Sequence, residues 1–193
     1  MVEVGLPMIV GISGASGPIY GVRLLQLLRE LGIPTHLVMS RSSEIAVAHE
    51  TDLKLADIKA LATYVHAPHD IAASISSGSF RTRGMIVAPC SIRSMSEIAS
   101  GVTSSLLTRA ADVVLKERRR LVLMVRETPL HTGHLRSMTQ LSEMGAIIAP
   151  PVPAFYARPE SIADIVAQSV GRVLDLFDID VGSVRRWDRA PNG

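Results

Sequence analysis

The chain has 193 residues, which is enough for one domain that buries a substantial core. Its formal net charge of +2 is too small to indicate a nucleic-acid partner, and an aromatic content of 4% leaves no platform for base stacking. A hydrophobic content of 47%, beside only 20% charged residues, indicates that part of the surface is covered in an oligomer.

The sequence predicts a cytoplasmic protein that does not span a membrane. The first residues, Met1 to Val4, lack the basic and long apolar segments of a secretory signal, and the apolar runs are too short to cross a bilayer. A single cysteine, Cys90, excludes an internal disulfide and a cysteine-based metal cluster within one chain. We expect Cys90 to be a small buried residue, because no histidine lies near it in sequence.

Short apolar strands alternate with helices along the chain. The predicted strands are 8–12, 35–39, 85–88, 121–125 and 146–148, and the predicted helices are 19–31, 42–49, 91–100, 104–118, 131–144 and 159–177. The last helix is expected to begin at Pro159, because proline and Glu160 suit a first turn. This alternation predicts an α/β fold, with a three-layer doubly wound (Rossmann-like) mostly parallel sheet in a single domain over 1–193.

The first strand runs into a turn of glycines and small residues, Gly11 to Gly17, that leads into the first helix. Unpaired N–H groups and the positive end of the helix dipole make such a turn a phosphate-binding site. Ser13 occupies the second glycine position of the dinucleotide fingerprint, and no Gly-Lys-Ser/Thr follows, so the pattern does not say which phosphate binds. A plain strand-to-helix turn, which also favours small residues, stays open as the alternative.

Polar residues follow other predicted strands at their carboxyl ends. Ser40 follows the second strand, Ser91 the third, and Arg126 with Glu127 the fourth. Because ligands of open parallel sheets bind beyond these ends, we expect the residues to converge. Each serine taken alone is equally typical of a helix cap. An arginine in such a cleft can hold a phosphate through two hydrogen bonds.

Charged residues elsewhere give weaker signals. Arg109, Asp112 and Lys116 lie on one stripe of the predicted helix 104–118, where a solvated face with a weak ion pair is the interpretation that the stripe alone favours. We predict no metal site. His131 and His134 have no third ligand nearby, and the aspartates between 175 and 180 do not form the paired cluster that holds Mg²⁺.

Seven blocks of sequence, taken in order, resemble the signatures of the UbiX/Pad1 flavin prenyltransferases. They are GISGASG at 11–17, HETD at 49–52, SSGSF at 76–80, PCS at 89–91, RAADVVLKER at 109–118, VRETPL at 125–130 and PAFY at 153–156. The resemblance covers nearly the whole chain. Two departures are Arg120, where proline is frequent in the family, and Arg93-Ser94, where lysine or glycine followed by threonine is usual.

The resemblance implies an enzyme that joins a dimethylallyl group from dimethylallyl monophosphate to N5 and then C6 of reduced FMN, with release of phosphate. It implies that the product, prenylated FMN, serves a UbiD-type decarboxylase. Fixed cations would stabilise the leaving phosphate in place of a metal. It further implies a dodecamer with the site at subunit interfaces, and a C-terminal segment after about residue 178 that packs at the site or an interface.

The resemblance also assigns residues to roles. Ser16 and Glu50 would manage the proton near flavin N5, and Glu127 would assist phosphate departure as an acid. Cofactor contacts are assigned to Gly14, Ala15, Ser16, Ser40, Ser91, Ile92, Arg93, Ser94, Arg109 and Arg126. Contacts with dimethylallyl phosphate are assigned to Lys116, Arg126, Glu127, Tyr156, Arg172 and Trp187. Of these, Tyr156 and Arg172 are expected to come from another subunit.

Three other functions stay open. The flavin-dependent cysteine decarboxylases share the expected fold, but their Pro-x-Met-Asn-x-x-Met-Trp motif is missing from this chain. An FMN carrier without its own chemistry would not need Lys116, Arg126, Tyr156 and Arg172 beside a flavin phosphate site. Direct decarboxylation of an aromatic acid has no matching pocket signature. Ubiquinone synthesis and aromatic-acid degradation are equally compatible with the prenyltransferase interpretation.

Overall fold

One six-stranded parallel sheet organises the fold in the computed structural model, which describes residues 5–187. The strands are β1 (Met8–Ile12), β2 (Thr35–Met39), β3 (Tyr64–His66), β4 (Gly84–Cys90), β5 (Arg120–Val125) and β6 (Ile147–Ile148). They lie in the order β3-β2-β1-β4-β5-β6. The order reverses between β1 and β4, so the crevice at the carboxyl ends of these two strands is a switch point of the kind where open α/β sheets bind ligands.

Helices cover both faces of the sheet. They are α1 (Ile19–Glu30), α2 (Arg41–Glu50), α3 (Leu55–Lys59), α4 (Ile92–Ala99), α5 (Leu106–Lys116), α6 (Thr132–Glu143) and α7 (Ile162–Asp175). Side chains of β1 alternate between two cores: Val10 packs with α1 and α7, and Ile9 packs with α4 and α5. The predicted three-layer α/β fold is thereby confirmed.

Two elements escape the sequence prediction because few of their side chains are buried. The strand β3 lies at the edge of the sheet, and its residues Tyr64 and Val65 are exposed. The short helix α3 buries only Ile58. Neither segment therefore carries the apolar pattern by which the buried elements were predicted.

The predicted start of the last helix is wrong by three residues, because α7 begins at Ile162. The Ser161 hydroxyl accepts a hydrogen bond from the Asp164 backbone, and the Asp164 carboxylate accepts one from the Ser161 backbone. This reciprocal capping box fixes the helix start. Before it, Arg158 ends a short 3-10 helix with a left-handed φ of 48°.

Candidate functional site

A cavity of about 430 Å³ lies at the carboxyl edge of the sheet, beside the switch point. Its lining residues are Gly14, Ser40, Arg41, Ser42, Pro68, Ser91, Ile92, Arg93, Ser94, Glu97, Ser104, Ser105 and Glu127. The structure therefore brings together the residues that follow β1, β2, β4 and β5, as the sequence predicts. The lining residues that the sequence did not indicate include Ser42, Pro68, Glu97, Ser104 and Ser105.

Three helix starts meet at this cavity. Ser40, Ser91 and Ser105 are the N-caps of α2, α4 and α5, and each hydroxyl accepts a hydrogen bond from the backbone three residues later, at 3.1 to 3.3 Å. The remaining N–H groups of each first turn and the three helix dipoles favour an anion here. The start of α1, where the glycine turn was expected to hold the phosphate, contributes only Gly14 to the lining.

Ser13 joins the two strands at the switch point. It is fully buried, its hydroxyl donates to the Pro89 carbonyl at 3.0 Å, and the same oxygen accepts from the Ser91 backbone at 2.7 Å. The residue that interrupts the glycine pattern thus fixes the loop after β1 against the start of α4. Sequence reasoning missed this role, although a serine between an apolar strand and a glycine turn was its visible signal.

Ser16 and Glu50 form the pair that the family resemblance implies. The Ser16 hydroxyl donates to Glu50 Oε2 at 3.1 Å, and the Gly17 backbone N–H donates to the same oxygen at 2.8 Å. The carboxylate thus lies just before the start of α1, where the helix dipole favours a negative charge. Ser16 and Ala15 are not among the lining residues of the cavity, so this pair lies beside it.

Arg93 enters the cavity already paired. Its Nε donates to Glu97 Oε1 at 2.9 Å, and the other Glu97 oxygen accepts from the Ser104 hydroxyl at 2.6 Å. Burial opposes ionisation of Glu97, but the hydrogen bonds from Ser104 and Arg93 outweigh it and lower the pKa of Glu97. A negative charge therefore stands beside Arg93, which weakens Arg93 as a ligand for a phosphate.

Arg109 and Arg126 are placed differently. Arg109 lies outside the cavity lining, where it donates to Asp112 at 2.8 Å and to the Ser76 carbonyl at 3.2 Å, so the predicted ion pair on α5 is present. Arg126 follows β5 and lies near Tyr20. Burial raises the pKa of the Tyr20 hydroxyl, and the positive charge of Arg126 offsets part of that rise.

The residues assigned to dimethylallyl phosphate do not lie together in one chain. Glu127 lines the cavity at the carboxyl edge, whereas Lys116 ends α5 at the amino edge, just before β5 begins, and pairs with Glu117. Six residues of β5 separate the two edges, a length of about 20 Å. Lys116 and Glu127 of the same subunit therefore cannot contact one phosphate.

Tyr156, Arg172 and Trp187 form a third group, beside α7. The rings of Tyr156 and Trp187 meet edge to face with centroids 5.7 Å apart, and both side chains are exposed. Arg172 pairs with Asp175, which also accepts a hydrogen bond from Arg186 at 3.0 Å. The C-terminal segment thus contacts α7 of its own chain as far as Trp187, its predicted packing at the site or an interface stays a prediction, and residues 188–193 lie outside the described part of the chain.

Cys90 is fully buried, as expected, and burial raises the pKa of its thiol to about 12. Burial and the raised pKa both disfavour a reactive thiolate, which agrees with a packing role for Cys90. Within residues 5–187 no group of three or more His, Cys, Asp or Glu side chains is arranged to hold a metal ion. Over the same residues, no helix has the length and apolar character needed to cross a membrane.

Comparison with known proteins places the chain in a family. The flavoprotein family matches residues 3–174. The chain is 60% identical over 186 residues to "Flavin prenyltransferase UbiX" of Escherichia coli (strain K12), covering 95% of this chain and 98% of that protein.

Two solved structures agree with that assignment. The chain superposes with a TM-score of 0.95 on AnUbiX (PadA1) in complex with FMN and dimethylallyl pyrophosphate, at 50% identity over 96% of this chain and 99% of that one. It superposes with a TM-score of 0.93 on a dodecameric FMN-dependent Ubix-like decarboxylase from Escherichia coli O157:H7, at 51% identity over 95% and 100%. The chain therefore belongs to the flavoprotein family and, within it, to the UbiX flavin prenyltransferases.

Proposed function

We propose that this protein transfers a dimethylallyl group from dimethylallyl monophosphate to reduced FMN, without a metal ion. The observation that carries the proposal is the cavity at the carboxyl edge, where three helix starts meet beside the Ser16–Glu50 pair. A relative at 50% identity that binds FMN and dimethylallyl pyrophosphate supports FMN and a dimethylallyl phosphate ester as the substrates. The site would then hold two phosphate esters beside the Ser16–Glu50 pair, which would transfer a proton.

The residues present fit FMN at this cavity. Hydroxyls of Ser40, Ser91 and Ser94 and the first-turn N–H groups of α2, α4 and α5 are donors for its phosphate, and Gly14 leaves the lining without a side chain at that point. When bound in its reduced form, FMN supplies the nucleophilic atoms N5 and C6. The chain's part is to hold that ring against the prenyl donor and to move protons.

Ser16 and Glu50 are arranged to receive the proton lost from flavin N5. Ser16 already donates its own proton toward Glu50 Oε2, so its oxygen can accept another as the first is passed on. The Gly17 hydrogen bond holds the carboxylate in place for this step. A positioned base of this kind contributes about 10²- to 10⁴-fold in rate.

Glu127 and nearby cations assist departure of the phosphate. As the bond between the dimethylallyl carbon and the phosphate oxygen breaks, Glu127 donates a proton to that oxygen, and Arg126 stabilises the negative charge. Lys116 completes this phosphate site from a neighbouring subunit, because it is too distant within one chain. The further contacts from neighbouring subunits are Tyr156, Arg172 and Trp187. The exposed apolar side chains of Val152, Phe155 and Ile162 suit such an interface.

The assembly that this arrangement requires is a homo-oligomer, and we propose a dodecamer like that of the E. coli O157:H7 neighbour. Its product would be handed to a UbiD-type decarboxylase as the functional partner. We place the reaction in the cytoplasm, because both substrates are charged phosphate esters that do not pass through a hydrocarbon layer unaided.

Phosphate release tests the proposal. Without oxygen, the protein should release inorganic phosphate from dimethylallyl monophosphate only when reduced FMN is present, and Glu127→Gln should slow that release. Phosphate release without flavin would identify a phosphatase instead. A parallel reaction with dimethylallyl diphosphate shows which donor is preferred.

Direct decarboxylation is the second candidate, since the E. coli O157:H7 neighbour is described as a decarboxylase. Incubation of the FMN-loaded protein with cinnamic or hydroxybenzoic acids, without any partner, distinguishes the two functions. We expect no carbon dioxide above the protein-free control. Release at a rate matching or exceeding prenylation would favour the decarboxylase instead.

A further inference from the structure

A second cavity, of about 550 Å³, opens at the amino edge of the sheet. Its charged lining residues are Arg83, Arg118, Arg119, Arg120 and Asp178. The sheet brings these residues together, because one arginine precedes β4, two precede β5 and Arg120 is the first residue of β5, where the register pairs it with Gly84. We name this cavity the arginine pocket.

The four arginines differ in the hydrogen bonds and ion pairs that their guanidinium groups make with the rest of the protein. Arg119 is structural, since its guanidinium donates to two carbonyls of the segment 78–80 at 2.6 and 2.7 Å. Arg120 lies 3.6 Å from Asp178, whose side chain is 93% exposed, and an ion pair so exposed is weak. Within residues 5–187, the Arg83 side chain donates a hydrogen bond only from its Nε, to the Leu6 carbonyl at 3.0 Å. Arg83 and Arg120 therefore keep donors for a ligand.

Arg118 makes the fewest side-chain hydrogen bonds and ion pairs of the four within the described residues. Within residues 5–187 its side chain makes no hydrogen bond or ion pair. Its φ of 56° is left-handed, at the end of α5, a position where glycine is the residue of lowest conformational cost. The arginine places a full positive charge at the pocket, although its left-handed backbone conformation is unfavourable for a residue with a side chain.

The rest of the pocket is apolar. Leu115, Ile147 and Phe177 line it, and the Arg120 guanidinium lies over the Phe177 ring at 5.6 Å from the centroid. A ligand that combines a negatively charged group with an apolar or aromatic part would satisfy both kinds of surface. Arginine is the side chain best suited to a phosphate, and the volume is that of a small-molecule site.

We propose that the arginine pocket binds an organic phosphate, through Arg83, Arg118 and Arg120. Within one chain the pocket lies at the opposite edge of the sheet from the proposed flavin site, about one strand length or 20 Å away. The two sites of one chain can therefore be filled at the same time. This proposal does not depend on the proposed function, because none of its residues is assigned to prenyl transfer.

Calorimetric titration of ADP into the intact oligomer, kept saturated with FMN, tests the proposal. We expect one saturable site per chain, with adenosine failing to bind and inorganic diphosphate binding more weakly than ADP. A flavin stoichiometry of two per chain would show that FMN itself is the organic phosphate that fills the pocket. No saturable heat at millimolar ADP, with one flavin bound per chain, would overturn the proposal.

Two matched variants separate binding from folding, because Arg118 and Asp178 both have left-handed φ values, 56° and 58°. Glycine relieves the backbone at either position, so Arg118→Gly and Asp178→Gly should both fold and assemble. We expect Arg118→Gly to bind ADP at least tenfold more weakly and Asp178→Gly to bind it as well as or better than the parent. Equal affinity for ADP in both variants would overturn the proposal. An Arg118→Gly protein whose oligomer dissociates, but which still binds ADP as tightly as the parent, would overturn it as well.

Discussion

Gln168 holds the backbone of Arg185 through both ends of its side-chain amide. Nε2 donates to the Arg185 carbonyl at 2.8 Å, and Oε1 accepts from the Arg185 N–H at 3.0 Å. One turn further along α7, Gly171 lets the segment approach, since a Cβ there would lie 2.5 Å from Val184 Cγ2. The described end of the chain is therefore fixed along α7.

Replacing Gln168 should loosen that end of the chain. We expect Gln168→Leu to lose both hydrogen bonds, at a cost of about 1 to 3 kcal/mol in stability, and to free Trp187 from its contact with Tyr156. Trp187 is the only tryptophan of the sequence, so its fluorescence anisotropy reports the change directly. The KM for dimethylallyl monophosphate should rise while FMN binding is kept.

The matched control is Gln140→Leu, at an exposed position of α6, which should leave the anisotropy unchanged. If Trp187 were as restrained in Gln168→Leu as in the parent, the amide contact with Arg185 would not be what positions the C-terminal segment.

Variants of the Ser16–Glu50 pair separate a capping role from a proton-transfer role. Glu50→Gln keeps an oxygen that can accept from the Gly17 backbone, but it removes the base. We expect it to retain FMN and thermal stability, while single-turnover prenylation slows by about 10²-fold or more. Ser16→Ala should behave alike. A Ser16→Ala protein that prenylates FMN at the parent rate would exclude the relay.

Hybrid oligomers test whether the phosphate site is shared between subunits. Co-expressed Lys116→Ala and Glu127→Gln chains should regain up to roughly a quarter of parent activity, because random assembly joins an intact Lys116 to an intact Glu127 at some interfaces. Each variant assembled alone should be nearly inactive. Activity is measured on hybrids purified through two affinity tags.

The control for this experiment pairs Glu50→Gln with Glu127→Gln. Both residues lie at the carboxyl edge of one chain, so every hybrid site keeps one defect and no activity should return. Absence of rescue in the Lys116→Ala hybrid as well would contradict a site that Lys116 completes from a neighbouring subunit.

A buried histidine should make stability depend on pH. His36 is only 5% exposed, and its Nδ1 lies 2.8 Å from His66 Nε2. Burial, with a smaller contribution from His66, lowers the pKa of His36 to about 4. As the pH falls, the unfolded chain therefore binds a proton at His36 before the folded protein does. The free energy of unfolding falls by about 2 kcal/mol between pH 7 and pH 5 as a result.

Denaturant unfolding at the two pH values measures this loss, and His36→Phe should remove most of it. The phenyl ring can occupy the place of the imidazole beside Tyr64 and Phe80 without a titrating group. An equal loss in the variant would assign the pH dependence to other groups.

The buried part of the fold was predictable because its sequence signal is strong. Strands such as Met8–Ile12 are covered on both faces and read as continuous apolar runs. In the described part of the chain, the edge strand Tyr64–His66 pairs with one neighbour and is largely exposed, so its composition resembles that of a loop. The start of α7 was misplaced because Ser161 supplies a stronger cap than Pro159.

The site was predictable where it depends on strand ends and not where it depends on distant contacts. Ser40 and Ser91 follow strands directly, and the sheet brings them together. Ser16 and Glu50 are 34 residues apart, and only the family resemblance indicated their pairing. The distance of Lys116 from Glu127 follows from helix direction alone, since a helix that precedes a parallel strand ends at the amino edge of the sheet.

The mass of the flavin recovered from the protein tests the central claim most directly. The protein is incubated without oxygen with reduced FMN and dimethylallyl monophosphate, and the bound flavin is then weighed by mass spectrometry. We predict a gain of one C₅H₈ group. This gain should be absent when FMN is left oxidised, and a smaller share of the flavin should carry it in Glu127→Gln. A flavin of unchanged mass would contradict the account.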